Sequence, residues 1–154
     1  MSDGFIIKRG GGSGDSNAAF KARVDGSLTE VTAEMLQGIT TIGSCAFSIS
    51  NLTSVTIPNS VTSINDNAFC YCENLESITI PNSVTNINSY AFQRCGRLTS
   101  VTVKATTPPT LGSNIFSGTP SSLVIYVPAE SVDAYKAASG WSNYADKIQA
   151  IPSD

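Results

Sequence analysis

Apolar residues recur along this chain at two periods at once. Within a short stretch, Val55 and Ile57 alternate with Ser54 and Thr56, the two-residue period of a strand that buries one face. Over a longer stretch the whole block returns. LTSVTIPNSVTSINDNAF at residues 52–69 is written again as LESITIPNSVTNINSYAF at residues 75–92, an offset of 23 residues. Leu52, Val55, Ile57 and Pro58 reappear as Leu75, Ile78, Ile80 and Pro81, then as Leu98, Val101 and Val103, where Lys104 replaces the proline. Val61, Ile64 and Ala68-Phe69 reappear as Val84, Ile87 and Ala91-Phe92. Upstream, Ile39, Ile42 and Ala46-Phe47 form a half-unit, and Leu28 with Val31 begins a degenerate first copy. Downstream, Ile125, Val127 and Pro128 follow the strand register, with Ile115-Phe116 where the Ala-Phe pair is due.

Each copy is too small to bury its own apolar residues, so neighbours must stack on a shared core. Equivalent strands then lie side by side in parallel, ~4.8 Å apart. Pro58 and Pro81 lack the N–H a ladder needs and mark strand ends, while Phe69 and Phe92 fill the far side of each coil. The prediction is a β-rich repeat solenoid of about five coils. Directly after Ile42, Ile64 and Ile87 stand Gly43, Asn65 and Asn88. These types tolerate positive φ, which predicts a left-handed turn residue at that register.

A stack of coils leaves open ends that need covers. After Pro128 the spacing Val132, Tyr135, Ala138 predicts a short helix that Gly140 ends. Trp141, Tyr144 and Ile148 then form an apolar cluster, read as a cap on the last coil rather than a sugar-stacking platform. At the other end, Gly10-Gly11-Gly12-Ser13-Gly14 reads as a flexible linker and lacks the Gly-Lys-Ser/Thr ending of a phosphate loop. The Phe5–Arg9 run either adds an edge strand or packs on a second subunit. The chain thus divides into an arm and linker (1–14), an N-terminal cap with the degenerate first repeat (15–38), a repeat solenoid (39–128) and a C-terminal cap (129–154).

The pattern L-x-x-V-x-I-P-N-S-V-x-x-I-x-x-x-A-F-x-x-C-x-x-L resembles the BspA-like leucine-rich repeats of bacterial surface proteins. Residues 39–103 match closely, and residues 28–38 and 104–128 more loosely. The tail VPAESVDAYKAASGWSNYADKIQAI is similar to the segment that often closes such domains. The resemblance implies a right-handed superhelix with a short helical cap. It also implies adhesion or attachment through protein or glycan contacts at a bacterial cell surface.

Composition narrows the chemistry. The chain of 154 residues has a net charge of −3 and contains no histidine. Nine basic against twelve acidic residues give no field for a nucleic-acid backbone. Without His a Ser-His-Asp triad is impossible and the commonest general base is missing. Asp66, Glu73 and Glu76 do not recur as a pair at fixed spacing, so no acid–base apparatus is evident. Cys70-x-Cys72 with Cys95 looks at first like a thiol or zinc site. Cys72 and Cys95 are, however, one repeat position seen twice, and Cys45 belongs to another register, which predicts buried thiols. No cofactor, metal site or enzyme activity is expected. The N-terminus has only the three apolar residues Phe5–Ile7, too few for an export signal, and no stretch is long and apolar enough to insert in a membrane.

What remains is the outward strand face. If Val55 and Ile57 point inward, Ser54 and Thr56 point outward. Stacking then aligns Ser54, Ser77 and Ser100 in one row and Thr56, Thr79 and Thr102 in the next, with Tyr126 at the Thr56 register in the last strand. Threonine neighbours stabilise a sheet by ~0.2–1 kcal/mol per pair, which alone accounts for the ladder. A flat hydroxyl face ending in an aromatic also suits a protein or carbohydrate partner. The sequence therefore supports a recognition module. The alternative is a structural or attachment component of a larger assembly, such as a phage particle, joined or oligomerised through its N-terminal arm.

Overall fold

The computed structural model describes residues 7–9 and 29–153. Its strands in chain order are β1 (Ile7–Arg9), β2 (Glu30–Val31), β3 (Ile39–Ile42), β4 (Ser54–Val55), β5 (Ser63–Ile64), β6 (Ser77–Ile80), β7 (Asn86–Ile87), β8 (Ser100–Val103), β9 (Thr110–Leu111), β10 (Val124–Val127) and β11 (Ile148–Ala150), with one α-helix, α1 (Val132–Ala137). The Gly10–Gly14 linker and residues 15–28, with Val24 and Leu28, lie outside the described residues.

Each pass of the chain lays one strand in each of two sides. On the first side β6, β8, β10 and β11 run parallel, and β2 and β4 form a parallel pair linked to β6 through a Thr56–Thr79 bridge. On the second side β3, β5, β7 and β9 run parallel. β1 covers the outer edge of β3, antiparallel, with Ile7 opposite Ile42. Residues 7–9 of the Phe5–Arg9 run thus supply an edge strand, which occupies the backbone groups an open edge would expose.

The third side is a ladder of turns. In each coil the Phe ring stacks on the next: Phe47 on Phe69 at 5.6 Å between centroids, Phe69 on Phe92 at 5.4 Å, and Phe92 on Phe116 at 5.9 Å. The backbone beside the rings is tied coil to coil, as where the Phe47 N–H donates to Ala68 O and the Phe69 N–H to Ala91 O, both at 2.8 Å. Among the described residues the apolar columns read from sequence are inward. Leu52, Leu75 and Leu98, Ile64 and Ile87, and the four phenylalanines are buried, and at ~25 cal/mol per Å² this shared core is the main favourable term.

The left-handed residues are not those expected. Gly43, Asn65 and Asn88 do not have positive φ; the left-handed columns are Cys45, Asn67, Tyr90 and Asn114, and Ile49, Tyr71, Arg94 and Gly118. Cys45, Asn67, Tyr71, Arg94 and Gly118 are each the third residue of a four-residue turn closed by a backbone hydrogen bond. Asn67 sits in the turn closed by Ala68 N–H to Asn65 O (3.2 Å), and Tyr71 in the turn closed by Cys72 N–H to Phe69 O (3.2 Å). A type II turn places positive φ at that position. Asn65 and Asn88 serve another purpose: the Asn88 carboxamide donates to Asn65 Oδ1 at 3.2 Å, and the Ser63 hydroxyl donates to the same oxygen at 3.0 Å. What Asn65 and Asn88 share is side-chain hydrogen bonding between coils, which Gly43, with no side chain, does not join.

Coil length varies most at the corner between the Phe and Leu columns. The chain takes five residues from Phe47 to Leu52, six from Phe69 to Leu75 and from Phe92 to Leu98, and seven from Phe116 to Leu123. The Phe and Leu columns keep their places regardless.

The C-terminal segment closes the stack. Tyr135, on α1, and Trp141 are fully buried and meet edge to face at 5.0 Å. Their polar tips reach one corner of the last coil: Tyr135 Oη donates to Ala105 O at 2.6 Å and Trp141 Nε1 to Pro109 O at 2.7 Å. Ser131 Oγ donates to Thr106 O at 2.7 Å beside them. Tyr144 meets Phe116 edge-on at 5.2 Å and ends the ring stack. Trp141 and Tyr144 are therefore cap residues. The segment is also more than a cap, since Ile148–Ala150 adds a strand beside β10.

Candidate recognition face

The outward residues of the first sheet form the two expected rows. Ser77 lies opposite Ser100 and Thr79 opposite Thr102. Thr56 bridges Thr79, and Tyr126 lies opposite Thr102. Ser54 is on β4, beside Val55, whose inward side chain fixes its outward direction. Ser54, Thr56, Ser77 and Thr79 are exposed, while Ser100, Thr102 and Tyr126 are half-buried. Tyr126 is not in the last strand: Gln149 on β11 stands opposite it and extends the row. Sequence periodicity could not show this, because Ile148 follows the cap rather than a Leu-x-x-Val unit. Its burial beside Ile125 is a tertiary fact.

On both sheets the threonine just before a strand ties its hydroxyl to the preceding coil. Thr62 Oγ1 donates to Thr40 O and Thr85 Oγ1 to Thr62 O, each at 3.2 Å, beside the second sheet, and Thr53 Oγ1 donates to Thr29 O at 3.1 Å and Thr99 Oγ1 to Glu76 O at 3.5 Å beside the first. Asn86 Nδ2 donates to Ser63 Oγ at 2.9 Å on the second sheet. Those groups are tied to the neighbouring coil. The hydroxyls of Thr56, Thr79 and Thr102 form no hydrogen bond among the described residues, so their donors and acceptors face solvent. The outward row of the first sheet, unlike the threonines that precede the strands, therefore keeps unspent hydrogen-bonding capacity.

The remaining candidate groups are dispersed or buried. Cys72 Sγ donates to Phe47 O and Cys95 Sγ to Phe69 O, both at 3.1 Å, at equivalent places in successive coils. The hydrogen bond between the Cys95 and Cys72 side chains, followed by burial, pushes the Cys95 thiol well up. Burial does the same to Cys70. A raised thiol pKa keeps the sulfur protonated and unreactive. Cys45 is exposed. Asp66, Glu73 and Glu76 are exposed on different parts of the coil, and no group of three His, Cys, Asp or Glu side chains comes together among the described residues. No helix of the described residues is long and apolar enough to cross a membrane.

Repeating coils with a two-sheet wall and a ring-stacked third side define a leucine-rich-repeat protein. The chain belongs to the BspA type leucine rich repeat family, whose repeat region matches residues 16–138 in six copies. The sixth copy exceeds the five or so coils counted from sequence, and the match begins within the segment read as a degenerate repeat. Members of such a family are generally binding modules. No curated protein matches the sequence.

Proposed function

We propose that this chain is a non-enzymatic recognition module that holds a protein or glycan surface against Ser54, Thr56, Ser77, Thr79, Ser100, Thr102 and Tyr126. The observation that carries the reading is the unspent hydroxyl row of Thr56, Thr79 and Thr102, set against the bonded hydroxyls of the threonines that precede the strands. A flat row of exposed hydroxyls spaced by the strand repeat suits an extended partner that offers polar groups at intervals. The family membership supports adhesion at a cell surface as the setting in which such a face acts.

Thr79→Lys tests the proposal at the centre of the row. Thr79 is exposed, so the folded protein should keep its stability within about half a kcal/mol. Buried in an interface, the ammonium would lack a partner, a penalty of several kcal/mol. Labelled wild type should be retained on candidate cells, extracellular matrix or virion fractions, and the variant should not. If the variant binds as well as wild type while deletion of residues 1–14 abolishes retention, the strand face is only structural. Attachment through the N-terminal arm then replaces this reading.

A further inference from the structure

The last coil and the C-terminal cap do not close on each other completely. Between them lies a cleft of ≈ 490 Å³, within the range of small-ligand sites. One wall is the turn after β9, bearing Ser113 and Asn114. The other is the segment after α1, bearing Ser139, Asn143 and Tyr144. One glycine sets how closely the walls meet, and another seats its wall on the preceding coil. A Cβ on Gly140 would stand 3.2 Å from both Cβ and O of Leu111, and one on Gly112 only 2.5 Å from the Ser89 nitrogen. Gly140 also has φ +82°, a left-handed backbone that suits glycine.

The lining has one consistent chemistry. Two carboxamides, two hydroxyls and a phenol border the cleft, and no Asp, Glu, Lys or Arg does. None of the five side chains makes a hydrogen bond among the described residues. An Asn side chain offers two donors and one acceptor, and a hydroxyl offers both roles. That mixture pairs with a ligand whose own groups both donate and accept, and it supplies no counter-charge for an ion. Tyr144 adds an aromatic body fixed at 86° to the Phe116 ring, a surface for the apolar face of a ring. Asn114 holds φ +55° in the process, a conformation glycine would adopt without strain.

We infer that this cleft between the final coil and the cap is a binding site for a neutral saccharide, held by Asn114, Asn143, Ser113 and Ser139 and packed against Tyr144. The site is separate from the strand face and stands or falls independently of it.

Titration of ¹⁵N-labelled protein with neutral sugars tests the assignment: glucose, galactose, mannose, N-acetylglucosamine and lactose, taken to tens of millimolar, with glucuronate and N-acetylneuraminate as charged comparisons. At least one neutral sugar should move the amide signals of residues 112–114 and 139–144 and leave Thr79 in place. Asn114→Gly removes the carboxamide while suiting the left-handed backbone, so the fold is kept, and Asn143→Ala removes the opposite one at an exposed position. Each should weaken binding about five- to tenfold, the loss expected for one hydrogen bond. No shift with any neutral sugar overturns the inference. So do shifts confined to the strand face, affinities unchanged in both variants, or equal binding of the charged sugars.

Discussion

At the scale of single residues, the most informative positions are those the backbone uses against the residue's own preference. Ile49 has φ 55° and is 77% exposed, although a branched Cβ makes the left-handed region costly by ~1–2 kcal/mol. The coil ladder holds it there: Ile49 N–H donates to Cys70 O and Tyr71 N–H to Gln93 O, each at 2.8 Å, and Arg94 N–H to Ser117 O at 2.7 Å. Ile49→Gly should therefore raise stability by about 0.5–1 kcal/mol, strain relief exceeding the added unfolded-state entropy. Asn67→Val, which puts a branched side chain at φ 61°, should lower it by ~1–2 kcal/mol. Urea midpoints decide the matter, and two equal losses would show that these turns are not left-handed. Sequence reasoning chose Asn65 instead because Gly43, Asn65 and Asn88 form the one column in which every residue tolerates positive φ. The true columns include Cys, Ile, Tyr and Arg. Backbone hydrogen bonds between the turns of successive coils overrule local preference there, so identity carries no signal.

At the scale of elements, legibility followed length and period. β6, β8 and β10 each span four residues with alternating burial, and their pattern is plain in the sequence. β5, β7 and β9 span two residues each, which is too short for any alternation to register. The second sheet therefore becomes visible only when coils are stacked. The cap shows the converse: its helix spacing was legible, but the groups it grips were not. Three cap side chains donate to backbone oxygens of Ala105, Thr106 and Pro109. The link from Val103 to Leu111 is one residue longer than that from Ile80 to Ile87, and it is this longer corner that meets the cap. Trp141→Phe should keep the packing but leave Pro109 O without its donor, at a cost of about 1–3 kcal/mol. Thermal or urea unfolding of that variant measures it. A change under a few tenths of a kcal/mol would mean that water replaces the indole and the corner is not a buried anchor.

At the scale of the whole molecule, stability is a sum over neighbouring coils, so an end counts for more than its size. Removing residues 129–154 would bare Phe116, unpair the edge of β10 and release the 105–109 corner at once. The truncated chain should aggregate or lose most of its stability, which light scattering after size-exclusion chromatography will report. A monomer as stable as the full chain would free Trp141 and Tyr144 from a structural role. The corner between the Phe and Leu columns has a different consequence. It already takes five, six or seven residues in different coils without moving either column. A single-codon insertion or deletion at this corner is therefore absorbed as loop, whereas the same event inside β6 would turn every following side chain of that strand to the opposite face. Gene copies of this unit can thus drift in length at this corner and still recombine in register, and each new coil inherits a stretch that is free to diverge.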